Sequence, residues 1–328
     1  MIPTRNRPKD LSELLLSILS QIFIPFEVIV IDDSPTHSAE QIINSFSTSY
    51  KIRNCELKLV KAYGEGLTAA RNLGISHFAG DFILFLDDDT LLHKDTLKVL
   101  VTYLEENPQI LGVQPLIVNS SGKSFAELTN FENAFCKVMM LSYKAENTLV
   151  VRKSGMSISP NYLTKVIPAQ RLSGCSCYKR EIFNVLKFDT NLKRWGFMED
   201  LDFSFRLYKL HPGYMSVIPQ AKILHKVSKT SRLPAKTNIH MVTLYWFYVF
   251  FKDIFRGSFF NLVAFLLALW GNFIMNLSGL VIKKKPRSEW WGFIYLLESY
   301  FSAFKNLKAL LQLRLDFYNC TLNRHFNK

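Results

Sequence analysis

Gly80-Asp-Phe-Ile-Leu-Phe-Leu-Asp-Asp-Asp-Thr90 is an apolar run that stops in three consecutive carboxylates. Phe82 to Leu86 is a block of bulky apolar residues behind a glycine, the pattern of a short strand buried on both faces of a sheet. Its acids emerge at the carboxyl end. Ligands bind along that edge in open α/β sheets, so Asp87, Asp88 and Asp89 are expected to hold a hard divalent cation and, through it, a phosphate. Without a cation or solvent, three adjacent carboxylates repel one another. The alternative is a solvated acidic turn ahead of a helix that starts near His93.

The alternation of strands and helices extends outward from this stretch. Residues 8–21 predict a helix, with Pro8 in its first turn, Asp10 near the positive end of the dipole, and Leu11, Leu14, Leu15, Ile18 and Leu19 on one face. Glu27-Val-Ile-Val-Ile-Asp32-Asp33 is a second apolar strand ending in acids. A helix over residues 39–46, a strand over 57–61 and a helix over 66–78 lead back to the triplet. Beyond it come a helix carrying Leu97, Leu100, Val101 and Leu104 and a strand over Gly112–Val118. The pattern predicts a wound, largely parallel α/β sheet with both acid clusters on one edge.

Four pieces, Pro3-Thr4-Arg5-Asn6-Arg7, Val28-Ile-Val-Ile-Asp-Asp-Ser34, Gly66-Leu-Thr-Ala-Ala-Arg-Asn-Leu-Gly74 and Asp87-Asp88-Asp89, occur in this order. Together they resemble the donor-binding half of family 2 glycosyltransferases with the GT-A fold, the triplet standing in the place of that family's DxD motif. The resemblance implies a nucleotide-diphosphate sugar as donor, linked to UDP, dTDP or GDP. Pro3, Thr4, Arg5, Arg7, Asp32 and Asp33 would hold its base and ribose, and Arg71, Asp87 and Asp88 would lie near it. Asp89, with Asp87 or Asp88 and His225, would carry Mn2+ or Mg2+. One departure stands out: the family opens with an apolar strand before the Pro-Thr segment, whereas only Met1 and Ile2 precede Pro3 here. The expected consequence is a gap at the centre of the sheet, with unpaired backbone groups.

A polar turn at Asn119-Ser-Ser-Gly-Lys123 follows, and residues 124–170 have no clean period. The resemblance resumes at Arg171-Leu-Ser-Gly174-Cys175, which looks like the family's acceptor-side segment, and continues through a helix over 179–186 to Trp195-Gly-Phe-Met-Glu199-Asp200. Glycosyl transfer requires a base to take the proton of an attacking hydroxyl. By the resemblance, Asp200 is that base, with Gly174, Trp195 and Glu199 on the acceptor side. The alternative is that Glu199, Asp200 and Asp202 are N-terminal helix acids favoured by the dipole. A strand over residues 217–224 ends at His225, where the family often places a metal ligand.

Composition divides the chain. Residues 1–202 hold 22 Lys+Arg against 23 Asp+Glu, whereas 203–328 hold 18 against 4, within an overall net charge of +13. The basic residues border apolar runs rather than forming a hydrophilic stripe, which disfavours nucleic acid and favours an anionic membrane surface. Phe259–Ile282 runs 24 residues without a charge, long enough to cross a bilayer. Lys252 and Arg256 on one side, and Lys283-Lys-Lys285 and Arg287 on the other, argue against a single crossing, because cations prefer the cytoplasmic side. A re-entrant or in-plane hairpin is expected, continued by Trp290-Trp291 and an amphipathic tail. The alternatives are a helical subdomain packed on the sheet or a homodimer interface. Cys55, Cys136, Cys175, Cys177 and Cys320 form no CxxC pair, which suits reduced cytosolic thiols. The N-terminus opens on polar residues without a secretory signal.

These readings predict a GT-A domain over 1–236, its donor-binding half over 1–118 and its acceptor half over 119–236, followed by a helical membrane-associated region over 237–328. The expected activity is inverting, metal-dependent transfer of a hexose-type sugar to a lipid-linked or polysaccharide acceptor at the cytosolic membrane face. Two rivals are a haloacid dehalogenase-type phosphotransferase and a non-catalytic membrane adaptor. Asp87-Asp88-Asp89-Thr90 approaches the phosphotransferase motif, but Leu91 stands where its Thr or Val belongs.

Overall fold

The computed structural model describes residues 1–36, 38–118, 128–160, 163–282 and 290–320. His37, the expected turn at 119–123, the Lys283-Lys-Lys285 and Arg287 flank, and His325 lie outside the described residues. The chain forms two compact units. The first comprises Met1–Glu127, Glu146–Leu149 and Pro160–Arg232; the second comprises Leu128–Ala145, Val150–Ser159 and Leu233–Lys328.

The first unit opens with β1 (Ile2–Thr4), α1 (Pro8–Leu19), β2 (Glu27–Asp32), α2 (Ala39–Ile52), β3 (Glu56–Lys61) and α3 (Leu67–His77). It continues with β4 (Phe82–Leu84), β5 (Thr90–Leu92), α4 (Thr96–Glu106) and β6 (Gly112–Val118). Strands β1, β2 and β3 pair in parallel. Helix α1 begins with Pro8 at a position where no intrahelical N–H is needed, and it buries Leu11, Leu14, Leu15 and Ile18 at helical spacing. Against that face lies Tyr50 of α2, whose hydroxyl donates to Leu15 O at 2.8 Å.

The second sheet of this unit is mixed rather than largely parallel. Strand Met215–His225 runs parallel to β6, but strand Cys177–Lys179 is antiparallel to both β6 and β4. The 3-10 turn Arg180–Asn184 follows it where a longer helix was expected. Short antiparallel insertions of this kind need no helical crossover and leave little periodic trace in the sequence. β5, which falls where the sequence pointed to a turn or helix start, pairs antiparallel with Ile223, Leu224 and His225.

The first strand is present at its expected central place, although short. Ile2, Pro3 and Thr4 pair with Val30, Ile31 and Asp32, and Met1 reaches β4 on the other side. Its amine donates to Leu84 O at 2.8 Å, while Leu86 N donates to Met1 O at 3.0 Å. On the N-terminal side of Ile2, a cavity of about 280 Å³ is lined by Glu27, Val28 and Ile29 of β2 and Phe82, Ile83 and Leu84 of β4. The cavity thus lies against the first half of β2 and the whole of β4.

In the second unit, helix Asn130–Val138 starts with a capping box between Thr129 and Glu132. Helix Ala235–Val249 passes into a π-helical turn, Phe250–Phe255, whose Phe250 stacks on Phe265 at 3.9 Å. Helices Phe259–Ile282 and Trp290–Lys305 lean on each other through Asn272 Nδ2, which donates to the Tyr300 hydroxyl at 2.9 Å. Phe259–Val281 is long and apolar enough to cross a membrane by length and composition.

Candidate active site

The acid triplet follows β4 after Phe85 and Leu86, and its three carboxylates have different main partners. Asp88 is 5% exposed, accepts from Thr4 Oγ1 at 2.9 Å and pairs with Arg7 at 2.9 Å. Burial pushes its carboxyl up to about 6, against the pull of Arg7 and Thr4. Asp89 is 2% exposed; its Oδ1 lies 3.0 Å from His225 Nε2, and its Oδ2 accepts from Ser228 N at 2.8 Å. Arg7 and Arg232 stand 3.6 and 3.7 Å from the same Oδ2. Burial opposes the charge on Asp89, but the hydrogen bonds of His225 and Ser228 and the charge of Arg7 outweigh it and hold the carboxyl at about 2. Desolvation likewise opposes the imidazolium of His225, and Asp89 overcomes it, raising the imidazole. Asp87 turns elsewhere: Arg71 is 3.3 Å from its Oδ1, and the Cys175 thiol is 3.7 Å from its Oδ2.

Asp32 and Asp33, at the end of β2, divide their work. Asp32 is fully buried and accepts from the backbone N–H of Ser34 at 2.9 Å and of Ala39 at 3.2 Å, so it shapes the turn into α2. Asp33 pairs with Arg5 at 3.0 Å and accepts from Gly64 N at 2.6 Å. Arg5 and Asp33 thus form the polar face at this strand end. Pro3 is a buried strand residue paired with Ile31.

The acceptor-side residues gather around the start of helix Glu199–Leu210. Glu199 receives Arg71 at 2.9 Å, whereas Asp200 is partly exposed, with Arg171 3.6 Å from its Oδ2. Burial, reinforced by the neighbouring Asp200, pushes Glu199 up to about 8 against the pull of Arg71. Asp202 is buried and pairs with Arg206 one turn on at 2.7 Å, as a helix-stabilising acid. Trp195 lies under Arg7, whose guanidinium is 5.3 Å from the ring centroid. Among the described residues, the buried Arg171 Nε, Ser173 Oγ and Trp195 Nε1 have no hydrogen-bond partner.

Arg71 is 1% exposed and spans Glu199 and Asp87, and its Nε is buried without a hydrogen-bond partner among the described residues. Gly174 sits against it: a Cβ there would meet Arg71 Nη2 at 2.7 Å. Asp87, held by Arg71 and Cys175, turns away from the Asp89–His225 pair. Among the described residues no three His, Cys, Asp or Glu side chains form a complete metal centre. The adjacent carboxylate of Asp89 and imidazole of His225 do fit two places in the shell of a manganese-like ion, with oxygens of a phosphate and water left to supply the rest.

Ser228 and Arg232 escaped sequence reasoning. The signal was present in the basic run Lys226-Val-Ser-Lys-Thr-Ser-Arg232, which follows a strand that ends on the acidic edge. Cys175, next to Asp87, carries no comparable signal.

The model of glycosyl transferase family 2 matches residues 1–183. An uncharacterized glycosyltransferase of Rickettsia felis is 36% identical over 107 residues, 33% of this chain and 17% of that protein. The poly(ribitol-phosphate) beta-N-acetylglucosaminyltransferase TarS of Staphylococcus aureus is 31% identical over 125 residues, 37% of this chain and 21% of that protein. The chain thus spans about a fifth or less of the length of these curated relatives. Residues 1–349 of S. aureus TarS, solved in complex with UDP-GlcNAc, superpose with a TM-score of 0.54 at 18% identity, over 91% of this chain and 78% of that one. At that identity the likeness is one of fold, and it is the GT-A-type fold.

Proposed function

The chain belongs to glycosyl transferase family 2, and from that premise we propose that it transfers a sugar from a nucleotide-diphosphate donor to an acceptor hydroxyl with inversion. The observation that supports this reading is the meeting, through Arg71, of the acid triplet with the Glu199-Asp200 pair, which brings a donor edge and a base together in one unit. The UDP-GlcNAc in the TarS crystal favours UDP over dTDP or GDP for this chain.

Each residue then has a task. Asp33 and Arg5 face the base and ribose, and Thr4 and Arg7 fix Asp88 beneath them. Asp89 and His225 would hold a divalent cation, Mn2+ or Mg2+, whose chemistry when bound would be to neutralise charge on the leaving diphosphate. Asp200 is the base. Of the adjacent acids it is the accessible one, whereas Glu199 is tied to Arg71 and pushed towards its neutral form. A carboxylate at Asp200 takes the proton of the acceptor hydroxyl as that oxygen attacks the anomeric carbon from the face opposite the diphosphate. Arg171, Ser173 and Trp195 offer their unpartnered donors to the oxygens of the acceptor.

The acceptor is a lipid-linked or polymeric glycan, and the enzyme works at the cytosolic face of a membrane. Two apolar stripes support this placement. Phe259, Phe260, Val263, Leu266, Leu267 and Trp270 are exposed along one helix, and Trp291, Ile294, Leu297, Phe301 and Phe304 along the next. Faces of that breadth mark interaction sites, and the surrounding cations suit anionic lipid. UDP release from a panel of UDP-sugars, measured for the wild type and for Asp200→Asn, tests the catalytic reading. Release by the wild type that Asp200→Asn loses supports it, and equal rates in both proteins contradict it.

A further inference from the structure

We propose that Thr68, in the first turn of α3, is a positioning residue for the acceptor side: it pins the loop from Leu192 to Met198 and so sets Trp195 against the donor edge. The proposal rests on the glycosyl-transfer reading above.

The loop does not hold its shape by itself. Arg194 has φ 62° and Met198 φ 65°, a left-handed backbone uncommon for residues with a side chain, and Gly196 between them has φ 61°. Such conformations persist where the surroundings over-determine them. At the far end, Glu199 N donates to Gly196 O at 2.8 Å. At the near end the loop is fixed by α3. Thr68 is fully buried, and its Oγ1 donates to Leu192 O at 2.9 Å. Leu67 N donates to Arg194 O at 2.7 Å, and Gly66 forms a parallel bridge with Arg194.

These contacts use groups that a helix start leaves over. The first N–H groups of a helix have no partner within it. In α3 the Leu67 N–H finds one in the loop, and no side chain caps the helix. Gly66 belongs to the same clamp: its φ is 99°, and a Cβ there would lie 2.3 Å from Arg194 N.

Trp195 follows the clamped stretch directly. Its ring lies 5.3 Å from the guanidinium of Arg7, which pairs with Asp88 at 2.9 Å. The carbonyls held by α3, those of Leu192 and Arg194, lead into Trp195, so the place of the indole beside the triplet is set by the start of α3. Being fully buried, Thr68 acts only through this loop.

Thr68→Val and Thr68→Ser in the full chain test this. Valine keeps the shape of the side chain and removes the hydroxyl, whereas serine keeps the hydroxyl. Three readouts are needed: UDP affinity by calorimetry, turnover of the UDP-sugar that the wild type uses fastest, and amide hydrogen exchange over residues 190–198. Thr68→Val is expected to bind UDP within about twofold of wild type, to lose about 10-fold to 100-fold in kcat, the scale of small misplacements near reacting groups, and to exchange faster over 190–198. Thr68→Ser should behave like the wild type in all three. Unchanged kcat in Thr68→Val, or an equal loss of kcat in Thr68→Ser, would overturn the proposal. So would a loss of UDP affinity with kcat retained, which would assign the start of α3 to the donor. If Thr68→Val does not fold, Thr68→Ala, which also lacks the hydroxyl and adds no bulk, decides in its place. A wild type that neither binds UDP nor turns over any UDP-sugar defeats the glycosyl-transfer reading itself, an outcome distinct from any variant result.

Discussion

His225 Nε2 stands 3.0 Å from Asp89 Oδ1, joining the end of strand Met215–His225 to the last acid of the triplet. The contact is built by the sheet, since β5, which begins at Thr90, pairs with the same strand and sets His225 opposite Thr90. His225→Ala is expected to weaken manganese-dependent UDP binding about tenfold or more, in line with the loss of a ligand or its orienting partner. Binding without metal should change little. Calorimetric titration with and without Mn2+ checks both halves.

Asp200→Asn keeps the shape of the side chain and removes its basicity. Transfer should fall by about 10²-fold to 10⁴-fold, the usual contribution of a positioned base. UDP affinity should stay within about twofold, because Asp200 stands with Arg171 rather than with the donor-edge residues. Equal loss of binding and turnover would remove Asp200 from the role of base.

Glu199 makes stability depend on pH in a stated direction. Its folded carboxyl is pushed up to about 8, so between the ordinary carboxylate range and about 8 the folded chain holds a proton that the unfolded chain has released. The folded state binds more protons there, and stability falls as pH rises through that window, by up to about 1.4 kcal/mol per pH unit for one group. Glu199→Gln cannot titrate. Thermal melts at pH 5 and pH 8 should therefore differ less in that variant than in the wild type, and an identical difference would show that Glu199 does not carry the effect.

The exposed stripes of the second unit predict lipid binding. Replacing Trp270 and Phe301, 57% and 71% exposed, by serine should lower co-sedimentation with vesicles containing anionic lipid by about tenfold or more. The wild type should also bind more weakly as salt is raised. A double variant that binds like the wild type would leave these faces to another partner.

Much of this arrangement is legible in the chain because it depends on local signals. An apolar run ending in Asp87, Asp88 and Asp89 names a strand end and an acidic edge, and glycine with aromatics before Glu199-Asp200 names a helix start. The relation of these two sites is not local. Arg71 meets Glu199 across 128 positions of sequence, and nothing in its neighbours shows that it is enclosed. The same holds for strand Cys177–Lys179: three residues are too few for a period, yet they turn the sheet from parallel to mixed. Asp32 and Asp33 look alike as a pair. The backbone turn decides which one is consumed in shaping the loop.

The most direct measurement is calorimetric titration of the detergent-solubilised protein with UDP, GDP and dTDP, with and without Mn2+. Binding of UDP that strengthens with the metal is the predicted result. A folded protein that binds none of the three nucleotides under either condition would contradict the donor site at Asp33, Asp88 and Asp89, and with it the assignment of sugar transfer to this chain.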